Sequence, residues 1–326
     1  MKAPTDFNNR SIKTKNKILC VGEILWDLLP EGAKAGGAPM NVAIHLRKFG
    51  LEVSFAGRIG DDSLGNDLKM FLEKQGLDTE LLQVDEKFPT STVAVHLESD
   101  GNNVRFEIVD NVAWDRIILT EELKIAANKA DVIIYGTLAS RHSITRSTIL
   151  DLLKSNNCLK LLDVNLRAPF YYKDVVEELL ESASIVKLNN DEIKIISGWH
   201  GKNYEEKQMA QWLSEKYHCE IICVTRGADG ALIYRNGHFF EHPGFKVDVK
   251  DTVGSGDAFL AGFIAKYLSG ESLDKSLEYA CATGALIATM SGATPTYLHD
   301  EILNIIISQN PENSHNLIEN LQTRQP

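Results

Sequence analysis

The sequence predicts an α/β protein built on a doubly wound, mostly parallel sheet. From Lys17 onward, short runs rich in β-branched residues alternate with amphipathic helical stretches, which is typical of βαβ units. Several runs are apolar throughout, as strands covered by helices on both faces should be. The predicted strands are 17–22, 53–57, 131–136, 159–164, 184–189, 220–225 and 230–234. The predicted helices are 40–49, 64–75, 121–129, 144–154, 204–217, 257–268 and 273–290.

One stretch breaks this rhythm. Residues 90–109 alternate apolar and polar side chains on either side of Ser99-Asp100-Gly101-Asn102, which predicts an antiparallel hairpin. With segment 28–34 it could form a small sheet over a site, like a lid; the alternative is an ordinary edge hairpin. A second hairpin is expected at Asn236-Gly237. We therefore expect one domain over 17–308, with lid segments at about 28–34 and 90–115, between polar tails 1–16 and 309–326.

Composition excludes several classes of protein. The 326 residues are 44% hydrophobic and 24% charged, which is typical of a globular enzyme rather than a disordered chain. The formal net charge of −11, without a basic block, argues against nucleic-acid binding. No apolar run is long enough to cross a membrane, and the polar start lacks a signal peptide, so a cytoplasmic protein is expected. The five cysteines form no CxxC pair and are predicted to be buried thiols.

The segment Asp251-Thr252-Val253-Gly254-Ser255-Gly256-Asp257 carries the strongest chemical signal, because it opens an apolar helix. Two glycines let successive backbone N–H groups point at an anion at the helix N-terminus. Asp257 would stand beside a phosphoryl group there and could accept a proton from an attacking hydroxyl. The alternative is a helix-start aspartate beside a Gly-rich loop. There is no GxxxxGK[ST] motif, so a P-loop is excluded.

A second set of residues follows the first predicted strand. Gly36 and Gly37 precede Pro39 at the start of a helix, and they would let a small ligand approach the backbone. Asn41 offers a donor and an acceptor, which suits hydroxyl groups, and Asp27 could accept two sugar hydroxyls. Each of these signals is weak alone, since a turn and a solvated aspartate are common.

Two further groups end predicted strands, where open α/β sheets bind ligands. Asn189-Asn190-Asp191-Glu192 supplies oxygens suited to water-mediated Mg²⁺, although a helix cap with acidic residues explains it equally well. Arg167, in Asp163-Val164-Asn165-Leu166-Arg167, could meet a ligand or simply be a surface arginine.

Together these residues resemble the PfkB, or ribokinase-like, carbohydrate kinases over about 17–303. Segment 36–43 (GGAPMNVA) is similar to the first family signature, 251–263 (DTVGSGDAFLAGF) to the second and 189–192 (NNDE) to the N-x-x-E metal motif. The resemblance implies a three-layer α/β/α sandwich with a small β-sheet lid, and an enzyme that uses ATP, Mg²⁺ and, in many members, K⁺.

The resemblance also implies roles for matching residues. Asp257 would be the catalytic base, and Gly254, Ser255 and Gly256 the anion hole. The sugar would be bound by Asp27, Gly36, Gly37, Asn41, Asn165, Arg167 and Asp257. ATP would be bound by Asn189, Thr225, Gly227, Gly230, Gly254, Gly256 and Cys281. Asn189 and Glu192 would hold Mg²⁺ indirectly, while Asp251 and Gly292 match a K⁺ loop.

Within the family the chain looks most like bacterial fructokinases, so the expected reaction is phosphorylation of fructose to fructose 6-phosphate. Ala38-Pro39 stand where phosphosugar kinases tend to carry a lysine, which favours a non-phosphorylated sugar. Alternatives are 2-keto-3-deoxygluconate kinase, in which Arg167 would meet a carboxylate, ribokinase, and a non-catalytic sugar-binding regulatory protein. Two departures from the family pattern are present: Cys281 stands where many relatives have Asn, which concerns the adenine contacts, and 111–115 (NVAWD) lacks their Gly-Ala pattern, which concerns the sugar specificity. The lid's apolar face could pair with a second subunit, giving a homodimer.

Overall fold

The computed structural model describes residues 16–29, 32–97, 104–154 and 158–309. Their strands form two sheets, one of nine strands and one of four. The strands, β1 to β13 in chain order, are Lys17–Val21, Leu25–Leu29, Gly32–Gly36, Glu52–Gly60, Leu82–Asp85, Ser91–Leu97, Val104–Ile108, Val132–Gly136, Leu159–Asp163, Ile185–Asn189, Ile221–Thr225, Ala231–Arg235 and His238–His242.

The large sheet has the order β13-β12-β11-β10-β9-β8-β1-β4-β5. It is parallel from β5 to β11, and only β12 and β13 pair antiparallel with their neighbours. The small sheet has the order β3-β2-β6-β7. Its outer pairs are antiparallel, while β2 and β6 run parallel. The prediction of a mostly parallel sheet with a small second sheet is therefore confirmed; the turn expected at Ser99–Asn102 lies outside the described residues.

Helices cover both faces of the large sheet. They are, α1 to α10, Ala38–Lys48, Ser63–Lys74, Glu121–Lys129, Ser143–Lys154, Lys173–Ser182, Asn190–Trp199, Glu206–Tyr217, Ser255–Leu268, Leu273–Ala288 and His299–Gln309. The packing explains the apolar strands: along β1, Leu19 and Val21 point into one core, while Ile18 and Cys20 point into the other. In the described part of the chain, no helix combines the length and apolarity needed to cross a membrane.

The chain order of the sheet reverses at β1, because the chain proceeds from β1 to β4 and β5 on one side and from β8 to β11 on the other. Ligands of open α/β sheets bind at such a switch point, outside the carboxyl ends of the strands. The segments singled out in the sequence follow β1, β9 and β10 or begin α1 and α8, so most of them lie at this edge.

Several element boundaries differ from the predictions. Strand β4 continues to Gly60, although Gly57 suggested an end, because residues 57–60 pair with β5 after the pairing with β1 has ended at Ala56. Strand β5 was not predicted, since four residues carry little periodicity. Helix α5 was also missed: it begins without a side-chain cap, and Asp174 in its first turn is a weak start signal. Helix α10 runs to Gln309, one residue beyond the predicted domain end.

Candidate active site

The first turn of α8 forms a tight backbone bend. Gly254 precedes it with φ of 77°, and a Cβ there would come within 2.5 Å of the Ala293 Cα. Only glycine fits this position without strain. The Ser255 N–H donates to the Thr252 carbonyl at 3.2 Å. The amides of Gly256 and Asp257 belong to the helical turn whose N–H groups have no acceptor within the helix, so they are available to an anion.

Asp257 lies at the third position of α8, facing the helix that follows β3. Its Oδ2 accepts a hydrogen bond of 2.8 Å from Asn41 Nδ2 of α1. Burial raises the pKa of Asp257 to about 6, and the nearby Asp163 carboxylate adds to this, whereas Lys187 and the bond from Asn41 act in the opposite direction. A carboxyl group with this pKa is ionised at neutral pH and still basic enough to take a proton.

The same Asn41 presents an unused acceptor. Its Oδ1 is buried and has no hydrogen-bond partner among the described residues. A buried carbonyl oxygen without a partner is costly, and a ligand hydroxyl beside Asp257 would satisfy it. The structure therefore brings together Asp257 and Asn41, which are 216 residues apart in the chain.

Asp27 lies on β2, against the glycines that precede α1. A Cβ on Gly36 would collide with Asp27 Oδ2, and a Cβ on Gly37, which has φ of 122°, would collide with the Glu23 carbonyl. Burial raises the pKa of Asp27 to about 6, while the charge of Arg167 opposes the rise. The expected sugar-binding residues Asp27, Gly36 and Gly37 thus share one corner of the molecule.

Arg167 and Asn165 follow β9 at the carboxyl edge. Asn165 has φ of 38° and lines a small cavity with Glu23 and Asp163. Arg167 is exposed, and its charge lowers the pKa of Glu23, Asp27 and Asp257. Its guanidinium therefore acts on the expected sugar site.

Sequence reasoning did not single out Glu23. It is buried, its Oε1 accepts from the Ala38 N–H at 3.3 Å, and its Oε2 has no partner among the described residues. Burial raises its pKa to about 7. Its carboxyl caps the start of α1 from outside the helix, a role that only the fold reveals.

Sequence reasoning also did not single out Lys187 or Asp163 as site residues, although a lysine is unusual in the apolar run Ile185–Asn189. Lys187 Nζ donates to both carboxylate oxygens of Asp163, at 2.9 and 3.2 Å. Burial alone would lower the pKa of Lys187, but the carboxylates of Asp163, Glu192 and Asp257 outweigh it and raise the pKa.

The Asn189–Glu192 segment forms a reciprocal helix cap. Asn189 Oδ1 accepts from the N–H groups of Asp191 and Glu192, both at 2.9 Å. Glu192 Oε2 accepts from the Asn189 N–H and Oε1 from the Leu166 N–H, both at 2.8 Å. Cap and metal site were alternatives in the sequence; the cap is present, and the metal role stays a prediction.

Thr225, the next of the expected ATP-binding residues, lies on the strand beside Asn189. Thr225 ends β11 directly beside Asn189 in the parallel register. Gly227 and Gly230, both with positive φ, make the turn into β12. Cys281 lies on α9 and is 6% exposed, so its side chain belongs to the core. Thr225 and the glycines thus reach the carboxyl edge, whereas an adenine contact by the buried Cys281 stays a prediction.

Asp251 and Gly292, the two residues that match a K⁺ loop in the sequence, are in contact. Asp251 Oδ2 accepts from the Gly292 N–H at 2.9 Å, and Oδ1 accepts from the Val253 N–H at 3.0 Å. The carboxylate thus joins the segment before α8 to the segment after α9. Binding of K⁺ there stays a prediction.

One face of α1 is tied to that second segment. His45 Nε2 donates to the Ala293 carbonyl at 2.9 Å, and Nδ1 accepts from the Tyr297 hydroxyl at 2.8 Å. Burial lowers the pKa of His45 to about 3, so the ring is neutral. Lys48 Nζ donates to the carbonyls of Thr294 and Pro295 at 2.8 and 2.7 Å. Together with Asn41, these side chains form what we call the α1 ladder: Asn41, His45 and Lys48.

Comparison with known proteins identifies a family that this chain matches over most of its length. The model of the pfkB family carbohydrate kinases matches residues 17–300. Fructokinase-2 of Solanum lycopersicum is 28% identical over 306 residues, which cover 85% of this chain and 92% of the relative.

Two solved structures are similar in fold. A fructokinase from Xylella fastidiosa with bound ATP has a TM-score of 0.81 at 23% identity and covers 91% of this chain and 100% of its own. A double mutant of a fructokinase from Vibrio cholerae O395, with fructose, ADP and potassium ion bound, has a TM-score of 0.77 at 22% identity and covers 90% and 100%. Both confirm the ribokinase-like sandwich expected from the sequence.

Proposed function

Because the chain belongs to the pfkB family of carbohydrate kinases, we propose that it transfers the γ-phosphate of ATP to the hydroxymethyl group of fructose. The single observation that carries this proposal is the pairing of Asp257 with Asn41 at the first turn of α8. A carboxylate and an amide beside the N–H groups of a helix start suit a sugar hydroxyl and a phosphoryl group, which supports the proposal. The fructokinase relatives support fructose as the sugar.

In the proposed reaction, Asn41 Oδ1 accepts a hydrogen bond from a sugar hydroxyl, and Asp257 Oδ1 takes the proton of the attacking hydroxymethyl group. The sugar oxygen forms a bond to the γ-phosphorus, and the bond from that phosphorus to the bridging oxygen breaks, so the electron pair leaves with ADP. The N–H groups at the start of α8 stabilise the charge on the transferred phosphoryl oxygens.

The relatives bind a nucleotide and, in one case, a potassium ion; Mg²⁺ is our proposal for this chain. Glu192 fits it through water, because each of its oxygens accepts one backbone N–H and keeps a second lone pair. Asn189 Oδ1 already accepts two N–H groups in the helix cap, so its part in holding Mg²⁺ stays a prediction. When bound with ATP, the metal would neutralise phosphate charge.

Three further proposals concern the ion loop, the assembly and the location. Asp251 and Gly292 form the proposed K⁺ loop, and the proposed assembly is a homodimer. The proposed location is the cytoplasm, which the five buried free thiols support.

One observation favours a second substrate. Arg167 is exposed and its charge acts on Asp27 and Asp257. A guanidinium in this place suits a carboxylate, so 2-keto-3-deoxygluconate is the second candidate.

The test is ADP release from Mg·ATP with fructose, 2-keto-3-deoxygluconate, ribose, glucose and fructose 6-phosphate, each with and without K⁺. For fructose, a parallel assay through phosphoglucose isomerase detects the 6-phosphate alone and so identifies the hydroxyl. We expect fructose to have the highest kcat/KM, and Asp257→Ala to lose about 10²- to 10⁴-fold in kcat with little change in sugar binding. A preference for the keto acid, reduced by Arg167→Ala, would replace fructose with the second candidate. Inactivity of the folded wild type on every sugar would refute the proposal.

A further inference from the structure

A buried ion pair lies directly behind the proposed phosphoryl site. Lys187 and Asp163 are register partners on the adjacent parallel strands β10 and β9, so their side chains leave the sheet on the same face. They are 7% and 4% exposed. The ammonium makes hydrogen bonds of 2.9 and 3.2 Å to the two oxygens of one carboxylate, which fixes its position.

Stability does not explain this pair. Removing two charges from water costs several kcal/mol for each ion, and a well-packed apolar pair of similar volume is often equally stable or more stable. Both neighbouring strands are otherwise apolar at buried positions. A buried ion pair at the carboxyl edge of the sheet therefore calls for a role in the site.

The ammonium faces the first turn of α8. A Cβ on Gly256 would come within 3.3 Å of Lys187 Nζ, and no other atom outside the local chain lies within 4 Å of that point in the described part of the molecule. The Lys187 ammonium is thus closer to this side of Gly256 than the Asp163 carboxylate is. An ammonium has three N–H groups, so two bonds to Asp163 leave a third for another acceptor.

We propose that Lys187 is a further catalytic residue, which donates this third N–H to the γ-phosphoryl oxygens when the phosphate rests on the first turn of α8. Asp163 is its positioning residue. The lysine keeps its proton throughout and stabilises negative charge while the phosphoryl group passes from ADP to the sugar. A methyl group on residue 256 would lie 3.3 Å from Lys187 Nζ, a tight contact that a glycine avoids.

This proposal rests on phosphoryl transfer at the site proposed above, and one of its two tests is independent of the sugar. Calorimetric titration gives the Kd of ADP and of a non-hydrolysable ATP analogue with Mg²⁺, and the ratio of the two isolates the γ-phosphate. In Lys187→Met the analogue should bind about tenfold or more weakly, with the Kd of ADP unchanged, because a hydrogen bond to a charged group is lost. Its kcat should fall about 10²- to 10³-fold, with the KM for fructose within about threefold.

Two further variants keep the test decisive. Lys187→Arg keeps the charge and should recover part of kcat. The double variant Lys187→Met/Asp163→Leu replaces the pair by apolar side chains, so it should fold even if the single variant does not, and it should show the same losses. The matched control is Lys216→Met, which removes a lysine from an ion pair with Glu177 of 3.2 Å between α7 and α5; its Kd ratio and kcat should stay at the wild-type values.

An unchanged Kd ratio, or a kcat within about threefold of wild type, in either folded variant that lacks Lys187 would overturn the proposal. Recovery of kcat in the double variant would show that Lys187 only neutralises the charge of Asp163, and this result would also overturn the proposal. A wild type that binds the nucleotides with a γ-phosphate preference but phosphorylates no sugar would refute the proposed function instead, so the two failures are distinguishable.

Discussion

Replacement of Asp257 by asparagine should remove most turnover and stabilise the fold. The asparagine keeps the shape, and its carbonyl can still accept from Asn41 Nδ2, but it carries no charge to bury. The pKa of Asp257 is raised from 3.8 to about 6. At about 1.4 kcal/mol for each pKa unit, the ionised carboxylate costs the wild type about 3 kcal/mol of unfolding free energy.

The dependence of stability on pH follows from the pKa of Asp257, which is higher in the folded state than in the unfolded state. Between pH 3.8 and about 6 the folded state binds more protons than the unfolded state, so this contribution to stability is lost as the pH rises through that window. The wild type therefore bears the full cost at pH 8 and about half of it at about pH 5. The stability gain of the variant should show the same dependence.

Urea unfolding of wild type and Asp257→Asn at both pH values measures this difference, and steady-state assays on the same preparations give kcat. We expect the larger midpoint gain at pH 8 and a loss in kcat of about 10²- to 10⁴-fold. Asp67→Asn, a matched change on the exposed face of α2, should alter neither quantity.

Equal midpoints at pH 8 would show that burial of the carboxylate carries no cost. Equal gains at both pH values would show that the gain does not come from ionisation. Unchanged turnover would remove Asp257 from the mechanism.

Three further outcomes are expected. In the wild type, kcat/KM for fructose should fall tenfold for each pH unit below about pH 6, because the base is then protonated; a profile flat to pH 5 would contradict the assignment. Asn41→Ala removes the bond that lowers the pKa of Asp257, so its acidic limb should move to higher pH while the KM for fructose rises about tenfold; a limb in the wild-type position would speak against the contact. Gly254→Ala must displace Ala293, so it should lose about 1–3 kcal/mol of unfolding free energy and at least about tenfold in kcat. The control Gly270→Ala is also at positive φ, but its new Cβ would have no atom within 4 Å, so this variant should keep its kcat.

The sequence was sufficient for the layers of the fold and for the segments at the site. Strand β1 could be recognised because it is apolar on both faces, and the start of α8 because Gly254 and Gly256 precede Asp257. The capping role of Asn189–Glu192 was also readable as one of two alternatives, since a reciprocal cap needs only local spacing.

The remaining features depend on contacts between distant segments. Nothing local shows that Asn41 donates to Asp257, or that Lys187 lies in register with Asp163. The unusual lysine in β10 could be noticed, but its partner depends on which strand lies beside it. The same holds for Glu23, whose carboxyl caps a helix that begins fifteen residues later in the chain.

The α1 ladder bears on how this enzyme could be recombined with its relatives. Asn41 reaches Asp257, His45 holds the Ala293 carbonyl against which Gly254 packs, and Lys48 holds the next two carbonyls. A chimera with a crossover between the N-terminal and C-terminal halves would inherit α1 from one parent and residues 291–297 from the other. Such crossovers should fail unless both segments come from the same parent, whereas exchange of the surface helix α3, which lies outside the ladder, should be tolerated.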